Sequence, residues 1–112
     1  MLRINEMGIN VSNGKSFNTM KDEAAEMGKK EAEEYLQKNS EIIASKDVNA
    51  INALIWNMSE YQLDMLKNFS AKANQIAGRI ANEFEVKTLS ELWYDAHWDV
   101  YQTLCQIAIS LS

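Results

Sequence analysis

Residues 88–111 read TLSELWYDAHWDVYQTLCQIAISL, the most apolar run of the chain's second half and the one with the fewest charges. Leu89, Leu92, Trp93, Ala96, Val100, Leu104, Ile107 and Leu111 recur at the three-and-four spacing that gathers side chains on one face of an α-helix. Thr88-Leu89-Ser90-Glu91 has the pattern of a capping box. The Thr88 hydroxyl would accept from the third helical amide and Glu91 would reach back to the cap, so the helix is expected to start near residue 89. Trp98, Tyr101, Cys105, Ala108 and Ile109 leave almost no polar face in its last turns. A helix that is apolar all round has to be covered all round, by other helices of the chain and, beyond them, by a second copy or a partner protein.

Upstream, apolar positions from Val48 run through Ile51, Ile55, Met58, Met65 and Phe69, interrupted by Gln62, and then shift register to 73, 76, 80 and 84. This predicts one long amphipathic helix over 47–84, with Ser45 or Asp47 as its N-cap. At 1.5 Å per residue it would extend about 57 Å, too long for a compact domain unless it bends, breaks or pairs outside the chain. Asn74 and Gly78 are its weak points. Leu54, Trp56, Tyr61 and Leu66 widen the apolar face beyond a two-stranded seam, which favours a bundle over a plain coiled coil. Val48, Ile51, Ile55, Met58, Met65 and Phe69, with Leu104, Ile107 and Leu111 of the last helix, are the expected core or oligomer-packing positions.

A first helix is expected over 18–38, with Asn18 or Thr19 as N-cap and Asp22 and Glu23 in its first turn, where carboxylates favour the helix dipole. Met20, Ala24, Gly28, Ala32 and Tyr35 lie on one side of it, and Lys21, Glu26, Lys30, Glu33 and Glu34 on the other. Ala24, Gly28 and Ala32, four residues apart, would let another helix approach closely. Asn39-Ser40 interrupts this helix. Residues 1–16, with Gly8, an Asn13-Gly14 turn signal and weak alternation, read as an extended arm or short hairpin. The expected architecture is all-α: a three-helix bundle or elongated helical hairpin with one long central helix over 17–112, preceded by that arm.

Composition bounds the function classes. The 112 residues carry a net charge of −5, with 46% hydrophobic residues, no proline, one cysteine and one histidine. One domain of this size buries enough surface to fold without staples, and a lone Cys105 forms neither an internal disulfide nor a zinc-ribbon spacing. No window of about 18 apolar residues is present to span a membrane, and no charged segment followed by a long apolar one forms a secretory signal, so a cytoplasmic location is expected, with leaderless export also compatible. Lys and Arg are dispersed, which speaks against direct nucleic-acid binding. Residues 1–47 hold 16 of the 27 charged side chains, whereas residues 88–112 hold Glu91, Asp95 and Asp99 and no Lys or Arg.

Motifs for chemistry are weak. Gly8-Ile9-Asn10-Val11-Ser12-Asn13-Gly14-Lys15-Ser16 ends as a phosphate loop does but has five residues between its glycines where that loop has four, and no sheet to hold a nucleotide. Glu91, Asp95 and Asp99 share a helix face, and carboxylates one turn apart suit a hard divalent cation, but Tyr94 stands where a di-iron bundle places histidine. His97 and Cys105 are about 12 Å apart along a helix, so no nucleophile and base pair arises. No catalytic residue and no cofactor is expected. Nor does the Trp-x-Gly turn of one class of small secreted helical proteins occur, since Asn57 and Met58 follow Trp56.

Trp93, Tyr94, Trp98 and Tyr101 form a dense aromatic cluster whose expected packing companion is Trp56, with Trp93 itself expected in the core. Tyr94, Trp98 and Tyr101, flanked by Glu91, Asp95 and Asp99, are the candidate partner-binding residues: aromatics anchor and carboxylates steer towards a basic patch. The expected function is non-enzymatic, an adaptor, a small inhibitor of bacterial or phage type, or a secretion-associated factor that buries an apolar helix face against a protein partner or itself. A structural homo-oligomer subunit and a metal-regulated helical bundle are the alternatives.

Overall fold

The computed structural model describes residues 15–112. It holds five helices and, among the described residues, no strand: α1 (Phe17–Lys38), α2 (Ser40–Ala44), α3 (Val48–Lys67), α4 (Phe69–Ala77) and α5 (Glu83–Leu111). The expected all-α architecture is what the chain adopts, but its longest helix is the C-terminal α5 rather than a central one. The readings of the arm and of the phosphate-loop pattern fall largely on residues 1–14, outside the described residues. Lys15 and Ser16, which close that pattern, serve the first helix instead: Ser16 Oγ accepts from the Thr19 amide at 3.2 Å and Lys15 pairs with Glu23 at 2.6 Å. The cap of α1 is thus Ser16, ahead of the expected Asn18 or Thr19.

The connections follow from side chains that compete with the helical backbone. Asn39 Nδ2 donates to Tyr35 O at 2.8 Å where α1 ends. The single turn of α2 leads through Lys46, at φ 60°, to Asp47, whose carboxylate caps α3 by accepting from the Asn49 and Ala50 amides. The expected continuous helix over 47–84 is broken twice. Asn68 turns its amide back onto Asp64 O at 3.1 Å and separates α3 from α4, and Gly78, at φ 74°, terminates α4 in the left-handed conformation that only glycine adopts without steric cost. Ile80 and Phe84, assigned to the apolar stripe of that helix, therefore lie exposed beyond it.

The start of α5 also differs from the Thr88 expectation by about a turn and a half. Asn82 Oδ1 accepts from the Glu85 amide at 2.8 Å while Glu85 Oε1 accepts from the Asn82 amide at 3.0 Å, a complete capping box. Arg79 clamps the same Glu85 carboxylate with both guanidinium nitrogens, at 2.9 and 2.7 Å. Thr88 and Glu91 are consequently helix interior, and Leu89 is fully buried.

Packing is dominated by α1 against α5, which run parallel, with α3 and α4 returning antiparallel between their ends. Met20, Ala24, Gly28 and Ala32 are the buried face of α1. A Cβ placed on Gly28 would stand 2.2 Å from the Trp93 carbonyl oxygen, so the two backbones meet with nothing between them. One core, around Met20, Phe69, Ile76, Leu89 and Trp93, lies at the α4 end. A second, around Ala32, Ile51, Leu54, Met58 and Leu104, lies at the other. The helices extend over 60 × 22 × 16 Å with a radius of gyration of 17.7 Å, against about 13 Å for a compact domain of this length.

Gly28→Ala gains about 1 kcal/mol of helix propensity but drives Cβ into main chain that cannot rotate away. The expected net outcome is a loss of about 1–3 kcal/mol, read as a lower urea midpoint. The Arg79 clamp, with the Asn82 amide, holds the Glu85 carboxyl down at about 2 from its ordinary 4.5. Because the folded pKa lies below the unfolded one, the associated stability is complete above about pH 4.5 and is lost as pH falls towards 2. Glu85→Ala should cost about 1–2 kcal/mol at neutral pH and flatten the acid limb of a stability-versus-pH curve.

Candidate functional site

Between the two cores lies a polar junction that draws on all the long helices. Glu31, on α1 one turn beyond Gly28, accepts three hydrogen bonds: from Tyr61 Oη of α3 at 2.9 Å, from Lys72 Nζ of α4 at 2.5 Å and from Trp93 Nε1 of α5 at 3.2 Å. Trp93 stacks on His97 with ring centroids 4.8 Å apart, and Tyr61 leans on the same imidazole at 5.8 Å. Gln62 Nε2 faces His97 Nδ1 at 2.8 Å with both residues buried. The amide donates and the ring accepts, which leaves the imidazole proton on Nε2. Burial lowers the His97 pKa, opposed by the nearby Glu31 charge, so the ring is neutral at pH 7. Burial and the bond to Glu31 push the Tyr61 phenol up to about 12.

The junction borders an open cleft of about 350 Å³ between α1 and α3, lined by Glu31, Glu34, Tyr35, Lys38, Met58, Tyr61 and His97. Tyr35 Oη closes one end by donating to Leu54 O at 3.1 Å.

The sequence-predicted interaction residues lie on the other side of α3. Glu91, Asp95 and Asp99 are exposed on the outer face of α5, and none of them forms an ion pair among the described residues. Tyr94 and Tyr101 are half-buried against the first and second cores, and Trp98 is 39% exposed. Tyr101 lies beside Ser59 of α3 and Cys105; burial, then Cys105, raises its phenol pKa, with Ser59 acting the other way. That contact fixes which side of α3 faces this aromatic patch. At about 100° per residue, Trp56 and Leu63 project on the Ser59 side of α3, and they are 69% and 57% exposed. Trp56, about 200° round the helix from buried Met58, is thus apart from Trp93 and on the flank of the other cluster members, Trp98 and Tyr101, where it is exposed rather than packed. Trp93 is buried in full, with the Phe69 ring 5.9 Å from its own.

The expected packing positions are satisfied within the chain. Ile51, Met58, Phe69 and Leu104 are buried, Ile55, Met65, Ile107 and Leu111 are packed against them, and Val48 is half-buried at the start of α3. Among the described residues no three of His, Cys, Asp and Glu converge into a group fit to hold a metal ion, and no helix is long and apolar enough to cross a membrane.

Sequence reasoning missed Glu31, Gln62 and Lys72, and Leu63 as part of the outer patch. Gln62 carried a signal, since it was the one polar interruption in an apolar stripe. Glu31 carried none, lying in the charged run from Lys29 to Glu34. Comparison with protein-family models, with curated proteins and with solved structures finds no match. Among the described residues the fold is all-α and elongated, with five helices and a polar junction between two cores.

Removing Glu31 orphans three donors at once. Glu31→Ala is expected to cost about 2–4 kcal/mol in denaturant unfolding and to release the Trp93 indole N–H to fast exchange.

Proposed function

We propose that this chain is a non-enzymatic helical binding protein that captures a basic protein partner on the aromatic face shared by α3 and α5. The observation that carries this reading is the exposure of Trp56 and Leu63 on the side of α3 that meets Tyr101, next to Tyr94 and Trp98. Large apolar side chains gathered on one surface cost solvation until a partner covers them, and tryptophan and tyrosine are the residue types that most often dominate an interface.

Charge selects the occupant. Glu91 and Asp95 border the patch and form no ion pair among the described residues, whereas Asp99 lies towards Lys29 of α1; residues 88–112 contain no Lys or Arg. A second copy docked on this face would bring the same acidic row against its like, whereas a partner with Lys or Arg beside an apolar ridge gains attraction and faster encounter. The mechanism is occupancy: aromatic anchors are desolvated at the centre and carboxylates at the edge orient the approach. An adaptor or small inhibitor works in this way.

The test is selection from a displayed library of amphipathic helical peptides whose polar faces are either Lys/Arg-rich or Asp/Glu-rich. Basic peptides should be enriched, and Trp56→Ala with Trp98→Ala should weaken them by about 30-fold while leaving the urea midpoint nearly unchanged. Glu91→Lys, Asp95→Lys and Asp99→Lys together should invert the charge preference. Enrichment indifferent to charge, or binders indifferent to both tryptophans, sinks the proposal. Light scattering that shows a dimer dissolved by Trp56→Ala would assign the face to a second copy.

A further inference from the structure

The cleft between α1 and α3 lies on the other side of α3 from the aromatic patch, and its polar groups are almost all accounted for. Both Glu31 oxygens are engaged by Tyr61, Trp93 and Lys72, and the Tyr35 hydroxyl is spent on Leu54 O. Among the lining residues one buried polar atom remains. His97 is 1% exposed and lends its ring to the cleft floor; its Nδ1 is held by Gln62, and its Nε2 has no partner among the described residues. A buried N–H without an acceptor is rare in folded proteins, because it has given up water and received nothing in exchange.

The surroundings say what kind of acceptor fits. Tyr35, Met58 and Tyr61 present flat and thioether surface, the composition of sites that hold small organic molecules, and about 350 Å³ lies at the lower end of their size range. The Glu31 charge is balanced by Lys72 within the junction, and at the rim Glu34 and Lys38, four residues apart on α1, offset each other. No net charge is left inside to attract an ion. We infer that the cleft is a binding site for a small, uncharged, planar aromatic molecule whose carbonyl or ring nitrogen accepts the Nε2 proton of His97. The ring of the ligand lies between Tyr35, Met58 and Tyr61, and the acceptor points to the floor. Stacking of His97 on Trp93 and the Gln62 bond fix the donor in place before the ligand arrives, so little ordering is required on binding.

His97 is the single histidine of the chain, so its two nitrogens give the only imidazole signals in a long-range ¹H–¹⁵N spectrum of the full-length protein. Three probes separate the terms: benzamide carries ring and acceptor, toluene the ring alone, and benzylamine a ring with a cation. Benzamide should shift Nε2 saturably with a dissociation constant on the order of 1 mM or tighter, and toluene should bind about tenfold more weakly. Benzylamine should bind no better than toluene. In the paired variant His97→Phe, Gln62→Leu, benzamide should lose its advantage while toluene still binds. Equal affinity for benzamide and toluene in the native chain overturns the assignment of the donor. Absence of any saturable shift, with Nε2–H exchanging freely with solvent, overturns the site and leaves an ordered water as the partner of His97. The native-chain comparison decides the matter even where the paired variant does not fold.

Discussion

The approach of Gly28 to the Trp93 carbonyl is the constraint from which the rest of the arrangement follows. With no side chain between them, α1 and α5 lie close enough for the stripe Met20, Ala24, Gly28 and Ala32 to be buried along its whole length. The same contact fixes their register. Glu31, one turn further along α1, is thereby set against the indole N–H of the residue whose backbone Gly28 touches. Once Glu31 is placed there, Tyr61 and Lys72 have one acceptor to reach, and α3 and α4 are aligned by it. A single missing Cβ thus propagates, through a short polar relay, into the alignment of every long element.

The relay also explains why the interior is divided. A continuous apolar core along three long helices would be tolerant of sliding, because one leucine or alanine layer replaces another at similar cost. A charged side chain with three specific donors, next to the buried Gln62 and His97 pair, does not tolerate it, since displacement by one turn would strand every member. The energetic contribution of such groups is modest, because desolvation offsets much of what the bonds return. Their effect is on uniqueness of register, which an elongated bundle with small-residue contacts requires more than a globular one does.

The parts legible in the sequence were those set by periodicity. The stripe Ala24, Gly28, Ala32 announced a close helix approach and Trp93 a core position, and the fold displays both; of the paired readings, Gly78 and not Asn74 is the break, and Asp47 and not Ser45 is the cap. Where two local signals competed, the sequence alone did not rank them. Asn82 to Glu85 and Thr88 to Glu91 are both capping patterns, and the choice fell to Arg79, whose clamp on Glu85 depends on the turn that Gly78 makes. Glu31 was illegible for a different reason. Its role comes from three residues 30, 41 and 62 positions away, and nothing in the charged run around it distinguishes a carboxylate that will meet them from one that will face water.

The apolar character of α5 posed the functional question, and its surface answers in parts. Facing inwards, Trp93, His97, Leu104 and Ala108 are covered by the chain itself, so the demand for an outside partner is narrower than an all-round apolar helix implies. What is left falls in two places: Phe84 at the start of α5 is exposed beside Phe17 of α1, and Trp98 and Ile109 are exposed on the flank that Trp56 and Leu63 of α3 join. If the side chains on that flank served only to complete an oligomer of like subunits, the Glu91 and Asp95 carboxylates beside them would meet their like and work against the assembly. Placed beside a surface that has to prefer a basic partner, the same pair adds selectivity at little cost to folding, because exposed carboxylates contribute little to stability until an opposite charge arrives. On the proposed reading, α3 separates two duties, with specificity of register on the side of the polar junction and recognition on the side of the aromatic patch.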